Sequence, residues 1–324
     1  MKGAVIPRQR AQKTGTASKQ HAFSWRNVKR DVIKNRYVYL MAIPVIAFFI
    51  IFCYVPMYGV LMAFQNYKPQ YGIWGSEWVG LKNFADFFGS YYAGRLIRNT
   101  FLISFYDLIF SFPAPIIFAL LLNEVKANKF KRTVQTITYM PYFISLVVVA
   151  SIIVEFTSSR GFIVDILSLF GFEKKSLLGE AQYFRTIFVA SNIWQSLGLN
   201  TIIYLAALRG VDQELYEAAT LDGAGRWKKM WHVTLPGIMS TVIIMLILRI
   251  GGMMNVGYEK IILLYNPATY ETADVISSFV YRKGLQEMNY GYSTAVGLFN
   301  SVINFVLLVG TNALSKKFSE TSLW

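Results

Sequence analysis

The sequence predicts an all-α membrane protein that crosses the bilayer six times, and three observations carry that prediction. Apolar residues make up 54% of the 324-residue chain and charged residues only 15%, where soluble domains carry about 25% charged residues. Mean hydropathy is +0.39. The apolar residues gather in runs of about 20, the length that crosses a hydrocarbon core of about 30 Å. The basic residues, finally, concentrate in alternate loops, as they do when short cytoplasmic segments retain Lys and Arg.

The first element is a basic leader, residues 1–36. It opens as a polar, flexible tail and ends in "FSWRNVKRDVIKNRY", whose mix of bases and aromatics suits an interfacial helix beside anionic headgroups. Spans are expected at 37–64, 100–123, 134–156, 186–208, 237–258 and 291–314, so that 37–314 forms one transmembrane domain. Pro44, Pro56, Pro113, Pro115 and Pro141 fall inside or at the edges of these spans. Neighbouring helices can satisfy the backbone groups that prolines free. The first span does not read as a cleaved signal: its leader is too long and no small-residue cleavage site follows.

An even number of spans puts both termini on one side. Residues 1–36, 124–133, 209–236 and the short tail 315–324 together hold 20 Lys/Arg against 7 Asp/Glu, whereas all other segments hold 12 against 11. That asymmetry places both termini and the loop 209–236 in the cytoplasm. It also explains the net charge of +14 as a topology signal rather than a nucleic-acid footprint. On the outer side, "GFIVDILSLFGF" (161–172) is too short to span and is expected to lie flat, and the loop 65–98 is rich in Trp and Tyr.

Enzymatic chemistry has little to stand on. There is no GxxxxGK[ST] loop. The two histidines, His21 and His232, and the single Cys53 form no zinc-spacing motif. No nucleophile–base–orienter set stands out, and no internal 3+3 repeat of the kind found in secondary transporters is visible.

The loop 209–236 is the informative one. Asp212 is placed to cap a short helix with Glu214 in its first turn. Leu215, Ala218, Ala219 and Asp222 then share a face with Glu217 on its flank. Gly223 and Gly225 break the helix, and Pro236 marks the start of the fifth span. Small residues at the centre of an exposed surface helix form a knob suited to a groove on a soluble partner.

"EAATLDGAGRWKKMWHVTLP" (217–236) resembles the EAA loop of ABC-importer permeases: Glu217, Ala218, Ala219, Gly223, Leu235 and Pro236 match that pattern one by one. The resemblance extends through "NTFLISFYDLIFSFPAPIIFALLLNE" (99–124), "YMPYFIS" (139–145) and "NIWQSLGLNTIIYLAAL" (192–208) to type I permeases of the maltose-transporter class. "PMYGVLMAFQNY" (56–67) and the stretch 290–324 are closer to the branch that takes acidic polysaccharides such as alginate. The resemblance implies a type I ABC-importer permease fold in the bacterial inner membrane, coupled to a separate ATPase dimer through Glu217, Ala218, Ala219, Asp222, Gly223, Leu235 and Pro236. It also implies a second, homologous permease, an extracytoplasmic solute-binding protein and an oligo- or polysaccharide cargo. No cofactor is expected in this chain; ATP and magnesium would be held by the ATPase.

Charge within a span is expensive, about 2.5–3.5 kcal/mol at a helix centre, and marks pathways or partners. Arg249 in the fifth span and Asp107 in the second lie at comparable depth. Arg249 could attract the carboxylates of an acidic sugar, or pair with Asp107. Asn255 and Tyr258, beyond the glycines 251 and 252, and Asn300 and Asn304, an i, i+4 pair in the sixth span, complete the expected pathway set. For the two asparagines, interhelical bonding is the competing reading. Lys68, Lys82, Arg95, Arg98, Lys174, Lys175, Arg282 and Lys283 are the outer bases from which a binding-protein contact could be drawn. The reading that follows is a transport subunit rather than an enzyme. A neutral-oligosaccharide permease is its nearest rival and a secondary transporter a more distant one.

Overall fold

A computed structural model describes residues 31–318, 322 and 323. Residues 1–30 of the basic leader, including the first part of its expected interfacial helix and His21, lie outside the described residues, as do residues 319–321 and 324 of the C-terminal tail. The chain divides into a unit that ends at Tyr58 and a second that starts at Gly59.

In the first unit, α1 (Arg36–Phe48) contains Pro44 and passes into a π-helical stretch, Phe49–Tyr54. Proline removes a donor from the ladder, and a π turn is one way a helix absorbs that loss. A 3₁₀ segment, Val55–Phe64, leads into the second unit. There a two-residue ribbon pairs β1 (Gln65–Asn66) with β2 (Glu77–Trp78) antiparallel.

The second unit holds the helices that build the site. After α2 (Lys82–Phe88), α3 (Tyr91–Ser111) continues into α4 (Pro113–Glu124), whose proline sits at the first turn where its missing N–H matters least. α5 (Asn128–Tyr139) runs into a 3₁₀ turn holding Pro141, stops at extended Ile144, and restarts as α6 (Leu146–Phe156), where Ser145 Oγ accepts from the Val148 amide. The short α7 (Phe162–Leu169) precedes α8 (Ala181–Leu208), whose 28 residues give about 42 Å of length. Next come α9 (Gln213–Leu221), α10 (Arg226–Lys229) with a π turn at Met230–Thr234, α11 (Met239–Gly251), α12 (Tyr258–Leu264), α13 (Ile276–Tyr281) and the final α14 (Tyr290–Phe318).

The expected span boundaries need correction. Among the described residues, three helical stretches are long and apolar enough to cross a membrane: Arg36–Phe64, Tyr91–Glu124 and Tyr290–Lys317. The number rises to five if each of two bent pairs counts as one span. The expected third span is one such pair, bent by 102° where Pro141 and Ile144 interrupt the ladder. The fifth is the other, bent by 60° at Ile238. α8, in the place of the fourth, is long enough but is thinned by polar residues from Gln182 to Thr201. The fifth helix also ends at Gly251, seven residues before its expected limit, so Asn255 and Tyr258 lie beyond it.

Three buried clusters hold this unit. Phe184 and Phe188 pack with Ile103, Val149 and Val275; Tyr204 and Leu208 with Ile116, Met230 and Ile238; Phe87 and Leu96 with Phe279 and Val296. Large apolar side chains such as Phe101, Ile117, Phe305 and Val306 remain exposed, a surface that calls for lipid or a protein partner. One close approach fixes α8 against the α5 side. A Cβ at Gly198 would overlap the carbonyl of Thr138 and touch the Tyr139 ring. Gly198→Val is therefore expected to destabilise the subunit by about 1–3 kcal/mol, read as a fall in the thermal midpoint in detergent; an unchanged midpoint would contradict this packing.

Candidate functional site

Two features stand out in the second unit, a polar cleft among α3, α8 and α11 and a capped hairpin ahead of α11.

The cleft has a volume of about 550 Å³ and is lined by Asp107, Tyr142, Asn192, Gln195, Asn200 and Arg249, among others. Helical spacing explains the polar wall. Asn192, Gln195, Ser196 and Asn200 stand at i, i+3, i+4 and i+8 of α8, one face of an otherwise apolar helix. Asp107 is buried and forms an ion pair with Arg249, whose side chain is 51% exposed. Arg249 is paired with Asp107, as one of its two readings expected, and it also borders the cleft. Asp107 Oδ1 accepts from Ser111 Oγ at 2.7 Å and from Asn192 Nδ2 at 3.1 Å. Asn192 Oδ1 accepts from Lys260 Nζ at 2.7 Å, and Lys260 also approaches Gln195 Oε1 at 3.5 Å. A smaller cavity of about 120 Å³ adjoins, bounded by Asp107, Asn192, Arg249 and Asn255.

Of the expected pathway residues, Arg249 and Asn255 therefore meet at these cavities. Asn300 and Asn304 are placed elsewhere: both are 7% exposed and hold the non-helical turn after α11. Asn304 Oδ1 accepts from the Met254 amide and its Nδ2 donates to Asn255 Oδ1; Asn300 Nδ2 donates to the Met254 carbonyl and to Asn255 Oδ1. Their geometry is that of interhelical ties. Tyr258 opens α12, stacks on Tyr281 with ring centroids 5.3 Å apart, and lines neither cavity.

The hairpin follows the sequence closely. Asp212 Oδ1 accepts from the Glu214 amide at 3.0 Å, capping α9. At its other end Gly223, with φ +73°, takes the left-handed conformation. The Gly223 and Ala224 amides donate back to the Thr220 and Ala219 carbonyls, the paired closure that satisfies a helix end. Tyr216 Oη donates to buried Thr234 at 3.0 Å and Lys229 Nζ to Thr220 Oγ1 at 2.7 Å, strapping α9 to the arm that leads into α11. Glu217, Ala218, Asp222, Gly223 and Pro236 are exposed, while Ala219 and Leu235 are half-buried, so the outward face is offset slightly from the expected one.

Several outer bases are engaged within the fold. Arg282 and Arg95 pair with fully buried Asp274, Lys174 with Asp165, Lys175 with Glu180 and Lys283 with Glu287. Arg98 borders a separate hollow with Arg95 and Glu271.

Residues 111–320 match the family described as "Binding-protein-dependent transport system inner membrane component". The chain belongs to that family. Protein LplB of Bacillus subtilis (strain 168) is 46% identical over 99% of this chain and 99% of its own length. The polygalacturonan/rhamnogalacturonan transport system permease protein YteP of the same organism is 44% identical over 90% of this chain and 92% of its own. Among solved structures, a bacterial ABC transporter involved in the import of the acidic polysaccharide alginate superposes with a TM-score of 0.83, at 41% identity over 90% of this chain and 99% of its own.

Proposed function

We propose that this chain is one of two permease subunits of an ATP-driven importer for an acidic oligo- or polysaccharide. In this reading both termini and the hairpin face the cytoplasm, and 37–314 crosses the inner membrane six times. A partner ATPase dimer, which binds ATP and magnesium, grips the exposed helix around Glu217. An extracytoplasmic binding protein delivers the cargo to the cleft.

The observation that carries the cargo class is Arg249, a guanidinium half exposed in a cleft that also presents amides and hydroxyls alongside Asp107, Phe112, Pro115, Met245 and Leu248. The amides of Asn192, Gln195 and Asn200 suit sugar hydroxyls, while the guanidinium fork suits a carboxylate. Relatives whose names carry alginate and polygalacturonan support the same chemistry. The coupling role rests on the hairpin, where Asp212 caps the helix and Glu217 is left exposed on its outward face.

The test is ATP hydrolysis by the complete transporter in proteoliposomes, stimulated by a panel of uronate and neutral oligosaccharides. Uronates are expected to stimulate most strongly. Equal or greater stimulation by neutral sugars would establish the rival cargo class, and purification without any nucleotide-hydrolysing partner would overturn the reading as a whole.

A further inference from the structure

Beside the cleft, two cations share one carboxylate. Arg249 pairs directly with Asp107. Lys260, 5% exposed, makes no ion pair among the described residues; its ammonium meets Asn192 Oδ1, Gln195 Oε1 and, 5.5 Å from its centroid, the ring of Phe188. Asn192 joins the two halves, with its oxygen toward Lys260 and its nitrogen toward Asp107. That orientation is dictated chemically, because an ammonium can only donate and a carboxylate can only accept. A buried cation without a counter-charge is costly, and the nearest carboxylate along this chain of bonds is already engaged by Arg249.

We propose that this cluster is built one negative charge short, and that a carboxylate of the saccharide cargo supplies it by binding Arg249. Lys260, acting through Asn192, then keeps Asp107 compensated. The inference rests on the cleft being the cargo path and adds two positioning residues, Lys260 and Asn192, that set the preference for acidic over neutral sugar. The geometry leaves room for the exchange. Half of the Arg249 side chain stays exposed while it pairs with Asp107, and it lines the cleft. A planar guanidinium has donors enough to bind a second carboxylate edge-on. As the cargo arrives, Asp107 keeps its bonds from Ser111 and Asn192 and is not stranded.

The charge count makes opposite predictions for the two signs. Lys260→Met leaves Arg249 and Asp107 balanced, so the cluster no longer calls for an added anion. Asp107→Asn leaves two cations uncompensated and strengthens that call. The complete transporter, with its own ATPase and binding protein, is assayed in proteoliposomes with oligogalacturonate and with its methyl ester, the same backbone without charge. Lys260→Met is expected to raise the half-saturating concentration of the free acid about tenfold while leaving that of the ester unchanged. Lys260→Arg is expected to restore it, and Asp107→Asn to lower the value for the acid alone. Acid and ester shifting together in every variant would show that the network is only a structural tie and would overturn the proposal. A wild-type transporter that prefers acid and keeps that preference after Lys260→Met would overturn this inference alone. One stimulated only by the ester would remove the acidic-cargo reading with it.

Discussion

Replacing Glu217 with Lys is expected to leave the subunit folded and to uncouple it, so that cargo no longer stimulates ATP hydrolysis and uptake into vesicles falls to background. Glu217 is exposed, and its side chain makes no hydrogen bond or ion pair among the described residues. The bonds that shape its helix come from elsewhere, from the Asp212 cap, the Gly223 closure and the Tyr216–Thr234 strap. The charge reversal therefore spares the hairpin and strikes whatever binds it. A charge-assisted hydrogen bond contributes about 1.5–3 kcal/mol, and losing it weakens docking about 10- to 150-fold; facing a cation with a cation deepens the loss. Thermal unfolding of the purified subunit, ATPase co-purification and vesicle uptake separate these effects. Uptake equal to wild type would refute the coupling role of this helix.

Arg249→Glu is the second large effect. It sets a carboxylate against buried Asp107 and is expected to depress acidic-cargo uptake well beyond neutral-cargo uptake. Losing the partner of buried Asp107 destabilises the fold, less than for a fully buried pair because Arg249 is half exposed, so part of any loss in this variant reflects stability. The companion Arg249→Met with Asp107→Asn removes both charges together, a change that is often neutral or stabilising. That double variant should recover the thermal midpoint and still fail on acidic cargo while transporting neutral oligosaccharide. Equal losses for both cargo classes in the double variant would show that the pair serves the fold only.

Much of this was legible before any coordinates. The hairpin could be read from its caps, because Asp212, Gly223 and the small residues between them act locally, within one turn of chain. The pairing of Asp107 with Arg249 is one of two readings that equal depth suggests, and the structure shows that pair. What escaped was set by long-range packing. The polar stripe Asn192, Gln195, Ser196 and Asn200 was visible as a periodicity, yet only the approach of α3 and α11 turns it into a cleft wall. Lys260 falls just outside the expected fifth span and carried no expectation of its own. It matters because Gly251 ends α11 early, and the turn that follows carries α12 back against α8. The pathway expectation for Asn300 and Asn304 failed to separate a polar face that lines a cavity from one that ties down a neighbouring turn. Both give the same i, i+4 spacing.

The 60° elbow at Ile238 has a mechanical consequence. A straight rod pushed at one end would slide along its own axis, whereas a cranked one converts a sideways shove on its lower limb into a swing of the upper. The far tip of that upper limb is clamped by two asparagines to the last helix. That clamp lies just past Arg249, itself two residues before the limb ends at Gly251, so any swing pivots close to where Arg249 meets Asp107.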